Sequence, residues 1–528
     1  MVMLFKKELR FNYIPVDNHQ TMTTFYRSLA GICILLFAVI CLASAQSPVY
    51  NVKQFGAKGD GKNIDTKAID KAIETAAAAG GGTVYFPAGD YLSVTIHLKT
   101  NVALYIDQGA TIVAATTGEG VQYDLPEKTE NDYQDFGHSH FHNSLIVGEN
   151  LHDISITGPG RIWGKGLTRE DLKEKNPGSA NKAISLKLCR NVILKDFTIA
   201  YGGWFGFLLT AVDNATIDNI KMDTNRDGID LVSSKNVRIS NCSINAPGDD
   251  AIVLKCDFAL NYPRATENIT ITNCQVSGYN EGTFLDGTYL KDGRKSPTGR
   301  IKLGTESNGG YKNITITNCV FDHCRGLALE TVDGAVLEDI AISNITMRDV
   351  VNAPLFIRLG ARMRGPEDFP YSQLRRVVIS NIIAYDVTGE QGAIISGIPG
   401  HDIEDLTLSN IRFYFKGGGT KEQAAIEVPP LIDSYPDPNR FGITPAYGFF
   451  IRNVKDLKMS DVEVSFIKDD LRPAFILDHV DGADFQHIRA RKTAGSPTFQ
   501  LNQVKNFSLF NSNQLPNTKL ADADKSQL

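Results

Sequence analysis

The sequence predicts an all-β protein folded as a right-handed parallel β-helix, a solenoid, with an N-terminal capping helix. The main observation is a repeated segment, such as "VRISNCSI" or "ITITNCQV", in which apolar and polar residues alternate with the two-residue period of a strand. Where the repeats are closest they lie 22 or 23 residues apart, too short for a propeller blade and without a helical pattern. Such units bury a continuous core only by stacking, so coils of a β-helix are expected.

The N-terminus has the pattern of a secretory signal peptide, which we assign to residues 1–45. Residues 31–42 form a short apolar run after Arg27, and small residues follow in "ASAQ". A run of this length is too short to cross a bilayer core of about 30 Å, so no membrane span is expected in the mature chain. Met22 is an alternative start, and a signal anchor is the alternative to cleavage. The expected location is secreted or periplasmic.

Residues 65–78 predict the helix that covers the N-terminal end of the solenoid. The segment "DTKAIDKAIETAAA" has helical periodicity, Asp65 is placed to cap it, and glycines follow. No linker or low-complexity stretch interrupts the repeats, so we expect one catalytic β-helix domain over residues 49–510. Residues 511–528 are polar and are expected to form a loose tail.

One polar residue recurs at the same place in each repeat and predicts a ladder along a corner of the coils. Cys242, Cys274 and Cys319 follow ladder asparagines, and we interpret them as small buried apolar groups, with a Cys319–Cys324 disulfide as the alternative. No CxxC pair occurs, so no zinc site is predicted. Glycosylation sequons such as "NAT" and "NIT" fall on this repeat and are interpreted as structural. The ladder residues are Asp196, Asn219, Asn241, Asn273, Asn318, Asn344, Asn381, Asn410 and Asp461.

The composition favours a folded protein and argues against one class of partner. Apolar residues make up 42 % and charged residues 22 % of the chain, enough for a large core. The net charge is −6, whereas a nucleic-acid-binding protein needs a basic face to meet phosphate. The motif "GAKGDGK" lacks the spacing of a phosphate-binding loop. We therefore expect no nucleic acid, no cofactor and no bound metal, and a monomer.

Two acidic motifs, "NRDGID" and "GDDAIVLK", precede successive strands. Counting eight residues from the ladder puts Asp227 and Asp249 at equivalent positions, with Asp250 next to them. The same count puts Trp204 on this column, where its ring suits a sugar. Coils about 4.8 Å apart bring these side chains together, and neighbouring carboxylates separate their pKa values as glycoside hydrolysis requires. A calcium site or turn caps are the alternatives.

The two motifs, in this order and spacing, resemble those of glycoside hydrolase family 28, the polygalacturonase and rhamnogalacturonase family. The opening "YNVKQFGAKGDGKNIDTKAIDKAIETAAAAGGGTVYFPAGDY" and the later "GTESNGGYKNITITNC" are also similar to that family. The resemblance implies inverting hydrolysis of a pectic polysaccharide, with Asp249 as general acid and Asp227 with Asp250 activating water. Inverting carboxyls typically lie roughly 6.5–9.5 Å apart. Asn225 of the first motif is expected to bind substrate.

Two motifs of that family are altered in this chain. Thr298 stands where the family's Gly-His-Gly motif has histidine. The family's Arg-Ile-Lys motif, which holds galacturonate carboxylates, is replaced by "RGLALE", so that Ala328 and Glu330 stand in for Arg and Lys. Losing two cations and gaining an acid disfavours plain polygalacturonate. A rhamnogalacturonan-type or mixed galacturonate and rhamnose chain fits better, with Glu330 lining the substrate cleft.

Three further cations are candidates for contact with an acidic sugar, or alternatively solvated charges. Arg300 and Lys302 spell Arg-Ile-Lys one coil early, which we interpret as a coincidence of sequence, and Arg358 lies in "LFIRLGARMRG". The segment "HSHFHN" places three histidines on one face of an extended stretch. We expect these near the cleft edge or exposed, and a metal site is the less favoured interpretation: His138, His140 and His142.

Two other functions share the predicted fold. A pectate-lyase-like enzyme would eliminate rather than hydrolyse, using calcium and an Arg or Lys base. A non-catalytic β-helix would bind polysaccharide without releasing reducing ends.

Overall fold

Strands make up most of the described chain and pair in three parallel stacks, which confirms the right-handed parallel β-helix. The computed structural model describes residues 48–118, 120–170, 178–291, 293–294 and 296–528, with Arg27 and Leu29. The signal-peptide prediction lies outside these residues apart from those two positions. None of the helices in the described ranges has the length and apolar character to cross a membrane.

The first stack, sheet A, carries the ladder corner. Its strands, numbered β1 to β36 with all others in chain order, are β1 (Val49–Asn51), β3 (Gly82–Phe86), β6 (Val102–Ile106), β9 (His152–Thr157), β12 (Arg190–Lys195), β15 (Asp213–Asp218), β18 (Lys235–Ser240), β21 (Thr266–Thr272), β24 (Tyr311–Cys324), β26 (Val336–Val350), β28 (Gln373–Val387), β30 (Ile403–Gly417), β31 (Phe449–Lys468), β32 (Phe475–Gln486) and β34 (Phe499–Phe510).

The second stack, sheet B, follows each sheet A strand around the corner, and the second halves of β24, β26, β28, β30 and β31 continue it. Its separate strands are β2 (Asp60–Ile64), β4 (Gly89–Ser93), β7 (Ala110–Ala114), β10 (Arg161–Trp163), β13 (Thr198–Ala200), β16 (Lys221–Asp223), β19 (Ser243–Asn245), β22 (Gln275–Ser277) and β33 (Arg489–Ala490).

The third stack, sheet C, carries the acidic motifs at the starts of its strands. Its strands are β5 (Ile96–His97), β8 (Ile146–Glu149), β11 (Lys182–Lys187), β14 (Phe205–Thr210), β17 (Asp227–Val232), β20 (Ile252–Cys256), β23 (Ile301–Ser307), β25 (Leu327–Thr331), β27 (Leu355–Leu359) and β29 (Ala393–Ser396), continued by the first residues of β31, β32 and β34.

The asparagine ladder is present along the corner between sheets A and B. The side-chain amides of the ladder asparagines donate to a side chain one coil earlier, for example Asn219 to Asp196 at 2.8 Å and Asn344 to Asn318 at 3.1 Å, whereas Asn241 donates to Asp218, the residue before Asn219. The ladder residues have left-handed backbone, which asparagine tolerates better than most residues. A second ladder, at the start of the sheet A strands, joins Asn214, Asn268 and Asn313 to asparagines one coil earlier in the same way.

The cysteines beside the ladder are buried and free, as the structural interpretation predicted. Cys242, Cys274 and Cys319 lie in the apolar interior among stacked isoleucine, valine and leucine side chains. Cys319 and Cys324 are both free thiols, so the alternative disulfide is absent. Burial raises the pKa of Cys256 to about 12, which keeps that thiol protonated and unreactive.

Helix α1 (Thr66–Ala78) covers the N-terminal end of the solenoid, as predicted. It buries Ile69, Ala72 and Ile73 against the first coil. Asp65 stands at the N-cap position but makes no side-chain cap; its carboxylate instead accepts the backbone N–H groups of Lys58 and Gly59. The other helices are short: α2 (Phe136–Ser139), α3 (Lys421–Ala424) and 3₁₀ turns at Val52–Phe55 and Pro438–Phe441.

The prediction of a loose tail over residues 511–528 is wrong. Strand β35 (Thr518–Ala523) pairs antiparallel with β34, and β36 (Ser526–Gln527) pairs with the start of the same strand. The polar composition gave no indication of these strands, because only one face of the segment packs against the protein, through Leu520 and the buried Ala523. The open edge of the last coil is thereby covered.

Deleting residues 516–528 is expected to destabilise the protein and promote self-association, because it uncovers the edge of β34. Each backbone hydrogen bond lost between β34 and β35 removes about 0.5–1.5 kcal/mol. Thermal melting and size-exclusion chromatography measure the two effects. Asp524→Ala, at an exposed position of the same segment, is the matched control and should leave both unchanged. A truncated protein with the wild-type melt and elution would contradict the capping role.

Candidate active site

The acidic motifs meet at one edge of sheet C, where β17 and β20 begin. Asp227 is the first residue of β17, and the turn that carries Asp249 and Asp250 leads into β20. Oxygens of the three carboxyl groups lie within 4.8 Å of one another. Asp227 and Asp250 are 3 % and 1 % exposed, whereas the Asp249 side chain is 28 % exposed. The structure therefore brings the three predicted residues together, with Asp249 facing solvent.

The register differs from the prediction by one residue. Ile229 of β17 pairs with Ile252 of β20, an offset of 23 residues, so Asp227 is level with Asp250 and not with Asp249. The ladder count assumed 22, the offset in sheets A and B. The segment from Asn245 to Ile252 holds one residue more than the paired segment from Asp223 to Ile229, and this extra residue shifts the second motif.

Trp204 shares its column with Arg226 and Asp249, because Phe205 pairs with Asp227 across β14 and β17 and Arg226 is level with Asp249. The Arg226 guanidinium lies 4.0 Å from the centre of the Trp204 ring, and its Nη2 lies 2.6 Å from Asp249 Oδ2. Trp204 is half-buried and packs with Phe205, so Arg226 covers the ring that was expected to stack on a sugar. Asn225 is half-buried at the rim, where its carbonyl accepts the Gly248 N–H at 2.6 Å.

The oxygens of the three carboxyls are closer than the roughly 6.5–9.5 Å expected between the carboxyls of an inverting pair. Such proximity makes their charges interact strongly. Because the carboxyl spacing differs from that of inverting enzymes, the stereochemical course of the reaction is determined by analysing the product.

Two buried cations hold Asp250 in its ionised form. Arg300 Nε donates to Asp250 Oδ1 at 2.9 Å, and Lys302 Nζ lies 2.5 Å from Oδ2. Burial opposes ionisation of this carboxyl, but the charges and hydrogen bonds of Lys302 and Arg300 outweigh it and lower the pKa of Asp250 well below its usual range. Asp250 is therefore a carboxylate at neutral pH.

The pKa values of the other two carboxyl groups, Asp249 and Asp227, are shifted upward. Burial, and then the charge of Asp250, raises the pKa of Asp249 above its usual value. Burial, and then the charges of Asp230 and Asp249, raises the pKa of Asp227. The cluster thus combines a fixed carboxylate with two groups that retain protons more readily, the division that acid–base catalysis needs.

Arg300 and Lys302 are neither solvated nor free to bind substrate. They are 3 % and 4 % exposed and are paired with Asp250, so the predicted direct contact with an acidic sugar is wrong. Nothing in the sequence motif revealed their burial, because the strand β23 that carries them is apolar only at alternate positions.

Glu330, expected in the cleft, lies beneath it. It is fully buried on β25, and its Oε1 lies 3.4 Å from Arg300 Nη2. Burial raises the pKa of Glu330 to about 7 against the opposing charges of Lys302 and Arg300. Thr298 and Ala328 are also buried, and Ala328 packs in a small apolar cluster with Phe356. Two cations of the preceding coil, Arg300 and Lys302, therefore lie beside Glu330, and the effect of the altered motif on substrate choice stays a prediction.

Arg358 is a structural residue, and its predicted role in substrate binding is wrong. It is 1 % exposed, and its guanidinium donates to Ser396 and to the backbone carbonyls of Pro430 and Leu431. These bonds fasten the long connection between β30 and β31 to sheet C. Burial and the nearby Arg452 lower the pKa of Arg358 to about 10.

The three histidines of "HSHFHN" do not share a face. His138 is buried, with Nε2 3.0 Å from Asp230 Oδ2. The His140 ring stacks on Phe136 at 3.6 Å, and His142 Nε2 lies 3.0 Å from Glu149. The short helix α2 turns the chain here, so the extended pattern read from the sequence does not apply.

Two groups of side chains in the described ranges could offer three ligands to a cation: the three aspartates of the motifs, and Asp135 with His138 and Glu306. In the first, Lys302 and Arg300 already neutralise Asp250. In the second, Arg364 bonds both carboxylates, at 2.9 and 2.7 Å. Neither arrangement fits a resident metal ion well.

Sequence reasoning missed three residues of the site. Arg226 lies inside the first motif and Lys255 ends the second. Each could have been found as a charged residue next to or within a strand that is expected to be buried. Tyr435 lies in the connection between β30 and β31, where nothing in the local sequence marks it. Its hydroxyl is 3.0 Å from Thr305 Oγ1, the Arg362 guanidinium lies 5.8 Å from the centre of its ring, and 47 % of the residue is exposed.

Comparisons with known proteins find similarity to polygalacturonases. A family model described as "Rhamnogalacturonase A/epimerase, pectate lyase-like" matches residues 49–277. A probable polygalacturonase of Vitis vinifera is 24 % identical over 409 residues, 73 % of this chain and 77 % of its own. An exo-poly-alpha-D-galacturonosidase of Dickeya chrysanthemi is 22 % identical over 441 residues, 71 % of this chain and 69 % of its own. A family 28 exopolygalacturonase structure from Yersinia enterocolitica has a TM-score of 0.59 at 18 % identity, covering 89 % of this chain and 80 % of that one.

The matches to polygalacturonases support glycoside hydrolase activity on this parallel β-helix. Together with the family model, they support a glycoside hydrolase family 28-like family for the chain. The resemblance inferred from the two acidic motifs is thereby confirmed, as is the prediction of an enzyme.

Proposed function

We propose that this glycoside hydrolase cleaves α-glycosidic bonds in pectic polysaccharide and prefers rhamnogalacturonan-type or mixed chains to plain polygalacturonate. The observation that carries the proposal is the carboxylate cluster at the start of β17 and β20, whose members have opposite pKa shifts. The names of the Vitis vinifera and Dickeya chrysanthemi relatives support a pectic substrate. The protein is proposed to act as a secreted monomer.

In the proposed mechanism Asp249 is the general acid. It is the most exposed of the three, and its raised pKa retains the proton that the leaving glycosidic oxygen needs. Asp250, held ionised by Arg300 and Lys302, together with Asp227 activates the attacking water. The water adds to the anomeric carbon, its proton passes to the carboxylate pair, and the Asp249 proton goes to the leaving sugar. The configuration is inverted in a single displacement.

A panel of pectic oligosaccharides tests this function. Hydrolysis releases reducing ends without new ultraviolet absorbance, and proton NMR of the first product gives its anomeric configuration. Calcium-dependent formation of an unsaturated product would identify a lyase instead. Tight binding without any released reducing end would identify a non-catalytic polysaccharide-binding protein. N-terminal sequencing of exported protein, with a start near Gln46, tests secretion.

Glu330 supports the substrate preference and makes it depend on pH. Ionised Glu330 opposes a sugar carboxylate near the site, and its pKa of about 7 means that this opposition weakens as pH falls through neutrality. We expect the ratio of kcat/KM for rhamnogalacturonan over polygalacturonate oligosaccharides to be at least about tenfold at pH 8, a difference of roughly 1.4 kcal/mol. The ratio should shrink below pH 6.

Steady-state kinetics on the two substrates between pH 5 and 8 measure that ratio. The isosteric variant Glu330→Gln is the control, because it cannot ionise and should lose the pH dependence of the preference. Efficient turnover of pure polygalacturonate at pH 8 by the wild type would show that other cations bind its carboxylates, and the proposed preference would be withdrawn.

A further inference from the structure

A second charged cluster lies directly beneath the catalytic aspartates, and the mechanism above leaves it without a role. Its centre is Lys255, at the end of the second acidic motif. The Lys255 Nζ lies 2.7 Å from Asp230 Oδ2, 2.6 Å from His138 Nε2 and 3.9 Å from Glu306 Oε2. Each of these residues is at most 5 % exposed.

Three successive coils of sheet C and one outside segment build this cluster. Asp230 comes from β17, Lys255 from β20 and Glu306 from β23, while His138 reaches in from α2. Buried charges are costly unless they are matched, and breaking such a pair destabilises a protein strongly. Three residues brought from separate segments to surround one lysine indicate that the position of its charge matters.

The cluster is coupled to Asp227. Asp230 lies on the same strand as Asp227, and its negative charge, after burial, is the next cause that raises the pKa of Asp227; Lys255 lowers it. In return, Asp230 and Asp227 are the two charges that contribute most to raising the pKa of Lys255, against its burial. The lysine is therefore permanently charged.

We infer that Lys255 is a positioning residue whose charge, fixed by Asp230, His138 and Glu306, favours the ionised form of Asp227, which orients the attacking water. This inference rests on the proposed hydrolysis, because it assigns Asp227 to the side of the water. Arg300 and Lys302 supply the same support to Asp250, so each water-activating carboxylate has its own buried cation. Asp249 is the member whose cation, Arg226, is part-exposed.

The positive charge of Lys255 opposes several negative charges around Asp227, and this determines the direction in which its removal shifts the pH dependence of activity. The charged groups that face Lys255 or Asp227 are Asp230, Asp249, Asp257, Glu306, His138 and Arg226. Most of them are negative, so removing the lysine charge makes ionisation of Asp227 harder. Activity that needs ionised Asp227 is then lost at a higher pH as the solution is acidified.

The pH dependence of kcat/KM on a pectic oligosaccharide tests the inference. Lys255→Met should move the acid limb upward by about one pH unit or more, equivalent to about a tenfold loss at pH values on that limb. Lys255→Arg, which keeps the charge, should leave the limb near its wild-type place. Lys235→Met is the matched control: it removes a lysine paired with Glu267 on sheet A and should change nothing.

A second variant keeps the test decisive if Lys255→Met folds poorly. Asp230→Asn removes the opposing negative charge and should move the acid limb in the other direction, to lower pH. A uniform loss of rate in these variants, with no movement of the limb, would mean that the cluster serves stability alone, and the inference would fail. A wild-type protein inactive on every pectic oligosaccharide would instead overturn the proposed function.

Discussion

Replacing Asp249 with asparagine is expected to abolish hydrolysis while leaving the fold intact. The amide keeps the volume of the carboxyl but has no proton to give to the leaving oxygen, and a lost general acid typically costs about 10²–10⁴-fold in rate. Asp249 is part-exposed and bonded to the part-exposed Arg226, so little stability depends on its charge. Turnover, substrate binding and thermal melting of the purified variant measure the three properties separately.

The matched control for Asp249→Asn is Asp461→Asn, at an exposed ladder position far along the chain. It should keep both wild-type turnover and wild-type melting. If Asp249→Asn retained near wild-type activity with an unchanged melt, the acid role would be wrong, and the aspartates would be a cation site or strand-end caps.

Replacing Asp250 with asparagine is expected to remove both activity and stability. Asp250 is 1 % exposed and is the carboxylate partner of two buried cations, Arg300 and Lys302. Removing one member of a buried ion pair typically costs about 3–5 kcal/mol, because the remaining charge is left uncompensated. The rate falls as well, since the water loses its ionised base. Denaturant unfolding and turnover on a pectic oligosaccharide measure the two losses.

A double variant separates the two losses. Asp250→Asn combined with Lys302→Met removes the stranded charge along with its partner, so stability should recover in part while activity stays absent. An Asp250→Asn protein that melts like the wild type would show that water or a rearranged Glu330 compensates Arg300 and Lys302. In that case the fixed charge of Asp250 would need another explanation.

The architecture and the identity of the three aspartates could be predicted because both depend on local periodicity. Strand alternation, the ladder asparagines and the helix over residues 65–78 are each set by neighbours in sequence. The register was wrong by one because a single extra residue in the turn before β20 leaves no signature in composition. A second shift, by which Phe205 and not Trp204 pairs with Asp227, places Arg226 over the Trp204 ring.

The electrostatic environment of the site could not be predicted, because it is assembled from distant segments. His138 meets Asp230 across 92 residues of sequence, and Tyr435 meets Thr305 across 130. Whether a cation such as Arg300 or Arg358 is solvated, catalytic or structural depends on which segment covers it. The sequence of one strand contains no information about which distant segment packs over its side chains.

The asparagine ladders have a consequence for how the protein can be produced. Asn214, Asn268, Asn313 and Asn344 each begin an Asn-x-Thr sequence that a eukaryotic secretory pathway modifies on the side-chain amide nitrogen. In the folded protein that nitrogen donates to the coil before it, so a bulky glycan on the same nitrogen would compete with closure of the ladder. Oligosaccharide is added before the coils stack, so yeast or insect-cell secretion would introduce this competition. A bacterial host leaves these amides unmodified and avoids it.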